Sequence, residues 1–203
     1  MWILKNSKDL LDYKQSRSLF SCNNIRKYDL STLYTTIRHS KLKSRLRELV
    51  QLYFIKKHIQ RRYKYLVLRS YFVKRKKKLW FYQKVIISIL EFSIDNIFVL
   101  FSGHVFQLTV CIPMGTSCAP FLADVFLYSY EAGFMQGLLK KNEKKLARSS
   151  NFTFRYIDDV LSLNDSRFSD FVNRIYPNEL EIKDTTDTEM YASYLDLHLE
   201  IDS

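Results

Sequence analysis

Asp158 and Asp159 stand side by side in FTFRYIDDVLSLN, residues 152–164, within a stretch that otherwise reads as two strands. Side chains alternate faces along a strand, which puts Phe152, Phe154 and Tyr156 on one face and Thr153, Arg155 and Ile157 on the other. The apolar pattern resumes at Val160, Leu161 and Leu163, so a tight hairpin with the two acids at its tip is predicted. Asp is a good turn residue, and the pair taken alone also reads as an ordinary solvated turn. A third acid, Asp29, lies beside an aromatic and inside the apolar pattern of YDLSTLY. Three carboxylates converging on a sheet edge repel one another unless they are protonated or bridged by cations. Hard divalent ions suit them, and Mg²⁺ commonly binds through one or two carboxylates plus substrate phosphates. Two such ions about 4 Å apart can activate an attacking 3′-hydroxyl and stabilise a departing pyrophosphate, which is nucleotidyl transfer and requires no histidine base.

The elements that must position these acids are mixed. IRKYDLSTLYTTI, 25–37, has strand-like β-branched and aromatic content, whereas residues 8–14 carry too short a pattern to assign. Ser40 reads as an N-cap, and Leu42, Leu46, Leu49, Val50, Tyr53 and Phe54 recur at helical spacing to about Lys57. Residues 65–73 are short and β-rich, and a helix is expected from about Gln83 to Asp95. IFVLF, Ser102-Gly103 and HVFQLTV predict a second hairpin, which Pro113-Met114-Gly115-Thr116 interrupts. A helix is expected from Cys118 through the Lys-rich stretch beyond residue 140, another from Ser166 to Ile175, and strands in LEIKD and SYLDLHLEI. Hairpins interleaved with helices argue for an antiparallel sheet with helices packed on one face, an α+β fold rather than a doubly wound parallel sheet.

Composition narrows the partner. The 203 residues are 47% hydrophobic with 4 Gly and 3 Pro, which excludes a disordered or low-complexity chain. Cys22, Cys111 and Cys118 have neither an even count nor metal-site spacing, so neither a disulfide framework nor a zinc site is indicated. The most apolar run, 85–101, is interrupted by Glu91 and Asp95 and falls short of a membrane span, and no signal peptide is evident. The net charge of +11 is unevenly divided: residues 156–203 carry −9 and residues 1–155 carry +20. Sixteen Lys or Arg and one acid, Glu48, lie between Arg38 and Lys78, interleaved with Tyr53, Phe54, Tyr63, Tyr65, Tyr71 and Phe72. Basic groups displace counterions from a phosphate backbone and rings stack on unpaired bases, so a nucleic acid is the expected partner, against a solvated helix face as the plainer reading. KRKKK, 74–78, reads as a nuclear-import signal or an exposed loop.

YIDD at 156–159 resembles the Tyr-x-Asp-Asp motif of reverse transcriptases. The other motifs follow in order. DLSTLYTTI from Asp29 is similar to the family's first catalytic motif, IPMGTSCAPFLADVFL, 112–127, to its second, and YLDLHLEI, 194–201, to the segment that positions the primer end. The wording of these motifs resembles that of Penelope-like retroelements, a group close to telomerase reverse transcriptases, over about residues 25–202. The sequence departs from that pattern at Cys111, where Gly is usual, and at Arg38, where Pro is common.

The resemblance implies a right-hand polymerase palm with partial fingers over 25–203, an N-terminal remnant over 1–24, the basic segment 38–78 in the fingers, and no thumb. It implies an RNA-directed DNA polymerase with an RNA template, a DNA primer and deoxynucleoside triphosphates as partners, no membrane, and an intracellular, nuclear location. Asp29 and Asp158 would be the principal ligands of two Mg²⁺ ions, Mn²⁺ being an alternative, with Asp159 as the third acid. Tyr34 would be a steric gate against a ribose 2′-hydroxyl. Pro113, Met114, Gly115 and Thr116 would form the turn where backbone approaches nucleotide and template, and Lys183 lies where some polymerases place a lysine near the pyrophosphate. A catalytically inactive nucleic-acid-binding remnant is the alternative, and a metal-dependent nuclease a third reading that lacks a supporting His or Lys near the motif.

Overall fold

A computed structural model describes residues 2–16, 22–58, 66–69, 78–165 and 167–201. In chain order the elements are β1 (Trp2–Ile3), α1 (Ser7–Ser16), β2 (Ile25–Leu30), α2 (Leu33–Thr36), α3 (His39–His58), β3 (Leu66–Arg69), β4 (Lys78–Phe81), α4 (Gln83–Asp95), β5 (Phe98–Phe101) and β6 (His104–Gln107). There follow α5 (Ala119–Lys140), α6 (Lys144–Ser149), β7 (Thr153–Tyr156), β8 (Asp159–Leu163), α7 (Phe168–Ile175), β9 (Ile182–Asp184), β10 (Tyr191–Tyr194) and β11 (Leu197–Glu200). The chain forms two compact units, one of Met1–Thr36 with Met114–Ser203, the other of Ile37–Pro113.

The first unit is built on a five-stranded sheet of order β1-β7-β8-β2-β9. Its inner pairings are antiparallel, as hairpin patterning requires, whereas the two-residue β1 runs parallel to β7. Alternation along the strands sorts side chains to two faces. Ile25, Phe154, Leu161 and Leu163 form one core with Leu4, Leu10, Ala192 and Tyr194. On the opposite face Tyr28 packs on Phe168 of α7, ring centroids 5.3 Å apart, and Arg155 reaches α5. Fully burying a side chain such as Leu161, which has no exposed surface, contributes about 1.5–3 kcal/mol.

Two expectations change here. Helices cover both faces rather than one, because α1 places Leu10 in the first core and sets Tyr13 edge-on to Phe154 at 4.9 Å. Within residues 1–24, β1 pairs with β7, and Leu4 and Leu10 join that core. The helix beginning after Cys118 ends at Lys140, since Asn142 adopts the left-handed conformation (φ 59) that stops helices, and α6 starts afresh.

In the second unit α3 buries Leu42, Leu46 and Phe54. Its basic side chains are partly committed to ion pairs: Lys43 to Asp95 at 2.6 Å and Arg47 to Glu91, both on α4, and Arg45 to Glu48 at 3.0 Å. β5 and β6 form the second hairpin, turning through Ser102 (φ 50) and Gly103 (φ 79), the paired positive dihedrals of a two-residue hairpin loop. The basic segment 38–78 falls within the second unit, Ile37–Pro113. Lys74, Arg75, Lys76 and Lys77 of KRKKK lie outside the described residues, as do residues 59–65, while Lys78 opens β4. Among the described residues no helix is long and apolar enough to cross a membrane.

Candidate active site

The register of β2 on β8 sets Asp29 directly opposite Asp159. Directly opposed residues of an antiparallel pair project on the same side, with Cβ atoms about 4.5–5.5 Å apart, and like charges there are destabilising. Asp158 immediately precedes β8, in the two-residue turn that joins it to β7. Its carbonyl accepts a hydrogen bond from the Leu30 amide at 3.0 Å, so the turn is tied to the end of β2. The hairpin expected from the sequence is therefore present, and the turn that carries Asp158 is fastened beside Asp29.

The local electrostatics show the repulsion. Burial raises the pKa of Asp29, and the Asp158 charge raises it further, with Lys183 and Lys27 opposing. Burial likewise raises that of Asp159, Lys27 opposing and Asp158 and Asp29 adding to it. Lys183 is the cross-strand partner of Asp29 on β9, half exposed, and 3.7 Å from Glu181. Among the described residues no group of three or more His, Cys, Asp or Glu side chains is clustered as a metal site. The donor chemistry fits Mg²⁺ in kind, since all three groups are oxygen donors whose mutual repulsion a divalent cation relieves, and Mg²⁺ needs only one or two protein carboxylates when phosphates complete its shell.

Tyr34, on α2, is half-buried. Its phenol pKa is raised by burial, then by the charges of Asp158 and Asp124. Met114, Gly115 and Thr116 belong to the same unit as the acids, whereas Pro113 closes the other unit. Met114 is 75% exposed. Gly115 has φ 98, and a Cβ built there meets nothing within 4 Å, so the dihedral, not crowding, is what requires glycine. Tyr194 of the YLDL segment is buried, and its hydroxyl donates to the Asp159 carbonyl at 3.2 Å, linking that segment to the acid motif.

The sequence reading missed a buried ionic network behind the turn. Arg155 is wholly buried; its Nε donates to Glu131 Oε1 at 2.6 Å, and one terminal nitrogen donates to Asp124 Oδ1 at 2.7 Å and to the Ile157 carbonyl at 2.8 Å. The other terminal nitrogen donates to the Asp124 carbonyl at 3.3 Å, and the buried Tyr176 hydroxyl donates to Glu131 Oε1 at 3.0 Å. Burial is the largest influence and works against the guanidinium charge, but Glu131, Tyr176 and Asp124 together outweigh it and hold Arg155 protonated. Ile157, the residue whose carbonyl Arg155 holds, has φ 53. A β-branched residue in that region is strained by about 1–3 kcal/mol. The available signal was Asp124 and Glu131, seven residues apart on one face of an apolar helix, together with a single Arg between aromatics in a buried strand.

One unit is a five-stranded sheet with helices over both faces and the other is made of helices and hairpins, an α+β fold. The structure matches the telomerase of Candida albicans in complex with a TWJ fragment of telomeric RNA (TM-score 0.60, 17% identity), over 98% of this chain and 34% of that one. It also matches apo telomerase of Candida tropicalis (TM-score 0.58, 13% identity), over 98% of this chain and 36% of that one. A form of that telomerase truncated from its C-terminal domain matches with TM-score 0.58 and 12% identity, over 98% and 39%. The chain thus spans between a third and two-fifths of the length of these proteins. No family model matches it, and no curated protein matches it by sequence.

Proposed function

We propose that the chain is a reverse-transcriptase domain, a polymerase palm with part of its fingers, that extends a DNA primer on an RNA template. The observation that carries this is the facing pair Asp29 and Asp159 with Asp158 in the fastened turn beside them, in a fold shared with telomerases. A neighbour's complex with telomeric RNA supports an RNA partner. The motif wording further favours a Penelope-like retroelement as the source.

In the proposed reaction the primer 3′-hydroxyl oxygen bonds to the α-phosphorus of a deoxynucleoside triphosphate. The bond from that phosphorus to pyrophosphate breaks, and the hydroxyl proton is lost. Asp29 and Asp158, with Asp159, would hold two Mg²⁺ ions, or Mn²⁺, which when bound supply charge neutralisation at the attacking and leaving oxygens. Tyr34, whose phenol feels the Asp158 charge, would exclude a ribose 2′-hydroxyl by contact with the sugar. Met114, Gly115 and Thr116 would offer exposed backbone to nucleotide and template, with Pro113 preceding them. Lys183, paired across strands with Asp29, offers the pyrophosphate a cation.

The test is primer extension on an RNA template annealed to a DNA primer, with deoxynucleotides and Mg²⁺ or Mn²⁺. Extension by the native chain that falls to background in Asp158→Ala is expected. Native extension no greater than that of Asp158→Ala sinks the polymerase reading for this chain. Salt-sensitive RNA binding in such a chain would then identify the inactive, nucleic-acid-binding alternative, which the left-handed backbone at Cys111 (φ 75) favours.

A further inference from the structure

The acid turn is fastened from two sides. On one, the Leu30 amide holds the Asp158 carbonyl at 3.0 Å. On the other, Arg155 holds the Ile157 carbonyl at 2.8 Å, one residue before Asp158, and that residue sits in the left-handed region at φ 53. We infer that Arg155 is a positioning residue for Asp158, its guanidinium fixed against α5 by Asp124 and Glu131 and so fixing the turn that carries the acid.

The reasoning is one of direction rather than stability. A buried ion pair is weak evidence for stability, since well-packed apolar side chains of similar volume often serve as well. They cannot supply a directional donor to a strained carbonyl. Arg155 uses four of its five N–H groups on acceptors from three places: the turn itself, the Asp124 carboxylate and carbonyl, and Glu131 two helical turns further along α5. Glu131 is steadied in turn by the Tyr176 hydroxyl, just after α7. A rigid planar fork held at several points has one orientation, and its remaining donor direction meets the Ile157 carbonyl. A lysine, a single point charge on a flexible stem, cannot hold Asp124, Glu131 and the turn together.

This inference rests on the reading that Asp158 acts at the catalytic centre, and its test separates the two. The full chain is compared with Arg155→Lys and with the double variant Arg155→Met/Glu131→Gln, which removes the unpaired buried carboxylate that Arg155→Met alone would leave. Backbone amide exchange, read by mass spectrometry, is expected to quicken in residues 157–159 of folded variants while the strands on either side stay protected. Where the native chain extends primers, kcat is expected to fall about 10–100-fold, the usual cost of losing an outer partner of a ligand, with little change in KM for deoxynucleotide. Unchanged exchange at the turn, or a uniform rise across the chain, overturns the inference. So does quickened exchange with kcat unaltered. A native chain that extends no primer defeats the polymerase reading instead, and the exchange pattern alone then decides whether Arg155 positions the turn.

Discussion

Replacing Cys111 by Gly should stabilise the protein, and the structure permits the size of the effect to be worked out. Cys111 has φ 75. It cannot relax away, because its amide donates to the Ile37 carbonyl at 2.9 Å and its own carbonyl lies 2.7 Å from Nε2 of the buried His39. A side chain held in the left-handed region costs about 1–2 kcal/mol. Glycine removes that cost but loses about 0.5–1 kcal/mol through the greater freedom of its unfolded chain, leaving a net gain centred on about 0.75 kcal/mol. The thiol itself is half-buried, and its pKa is raised by that burial, so it is a packed neutral group whose loss must be measured separately. Cys111→Ala does this, since it deletes the sulfur and keeps the strain. For a chain of this length 1 kcal/mol corresponds to about 2–4 °C in Tm. Cys111→Gly should therefore melt about 1–4 °C above Cys111→Ala, with the same order in urea unfolding. A glycine variant no more stable than the alanine variant would show that the strain of the left-handed backbone does not exceed the freedom that glycine adds to the unfolded chain. Glycine is also the residue usual at this position in the retroelement group that the motifs resemble, so the substitution should leave primer extension undiminished.

Tyr34→Ala should lower the preference in kcat/KM for deoxynucleotides over ribonucleotides by about 10–100-fold, the scale on which a shaped pocket discriminates; an unchanged ratio in single-nucleotide incorporation would show that Tyr34 is only a packed ring. Alkaline stability should fall because three buried tyrosines resist ionisation. Burial first and the Asp184 charge second push Tyr28 up to about 12, and Tyr176 and Tyr194 are raised as well. The folded state then keeps protons that unfolded tyrosines release near pH 10, so stability is full below that pH and is lost as pH rises toward the folded values. The slope reaches about 1.4 kcal/mol per pH unit for each tyrosine. Urea unfolding midpoints that stay level from pH 9 to 11.5 would contradict this, and Tyr28→Phe should make the fall shallower.

What could be read from the sequence was local. The Asp–Asp hairpin, the β5–β6 hairpin and helix Gln83–Asp95 each carry their signal within about a dozen residues, as alternation, turn residues or helical spacing. The facing of Asp29 and Asp159 was reachable only through motif order, since 130 residues separate them. α1 and β1 escaped because ten- and two-residue elements carry little periodicity of their own, and the core that stabilises them comes from Phe154 and Leu161 far along the chain. Arg155 escaped for the same reason: its partners Asp124 and Glu131 lie 31 and 24 residues away, and their meaning depends on a sheet stacked against α5. Pro113, Met114, Gly115 and Thr116 read as one turn, yet the division into units falls inside it, between Pro113 and Met114.

The division into units is also a division of charge. By sequence, Ile37–Pro113 carries a net +14, and the unit that holds the three acids carries −3. A polyanion is attracted to the first and gains nothing from the second, where burial and the charge of Asp158 already raise the pKa values of Asp29 and Asp159. Phosphates approach such acids favourably only when cations lie between them, so on the proposed function phosphate binding at the acid unit would depend on divalent ions while general affinity would rest with the basic one. On the proposed function the two dependences should separate. Monovalent salt weakens RNA binding by competing at the basic unit, whereas loss of Asp158 leaves that binding intact and removes the response to Mg²⁺. An Asp158→Ala protein that lost RNA affinity as well as extension would show that the two units do not share the work in this way.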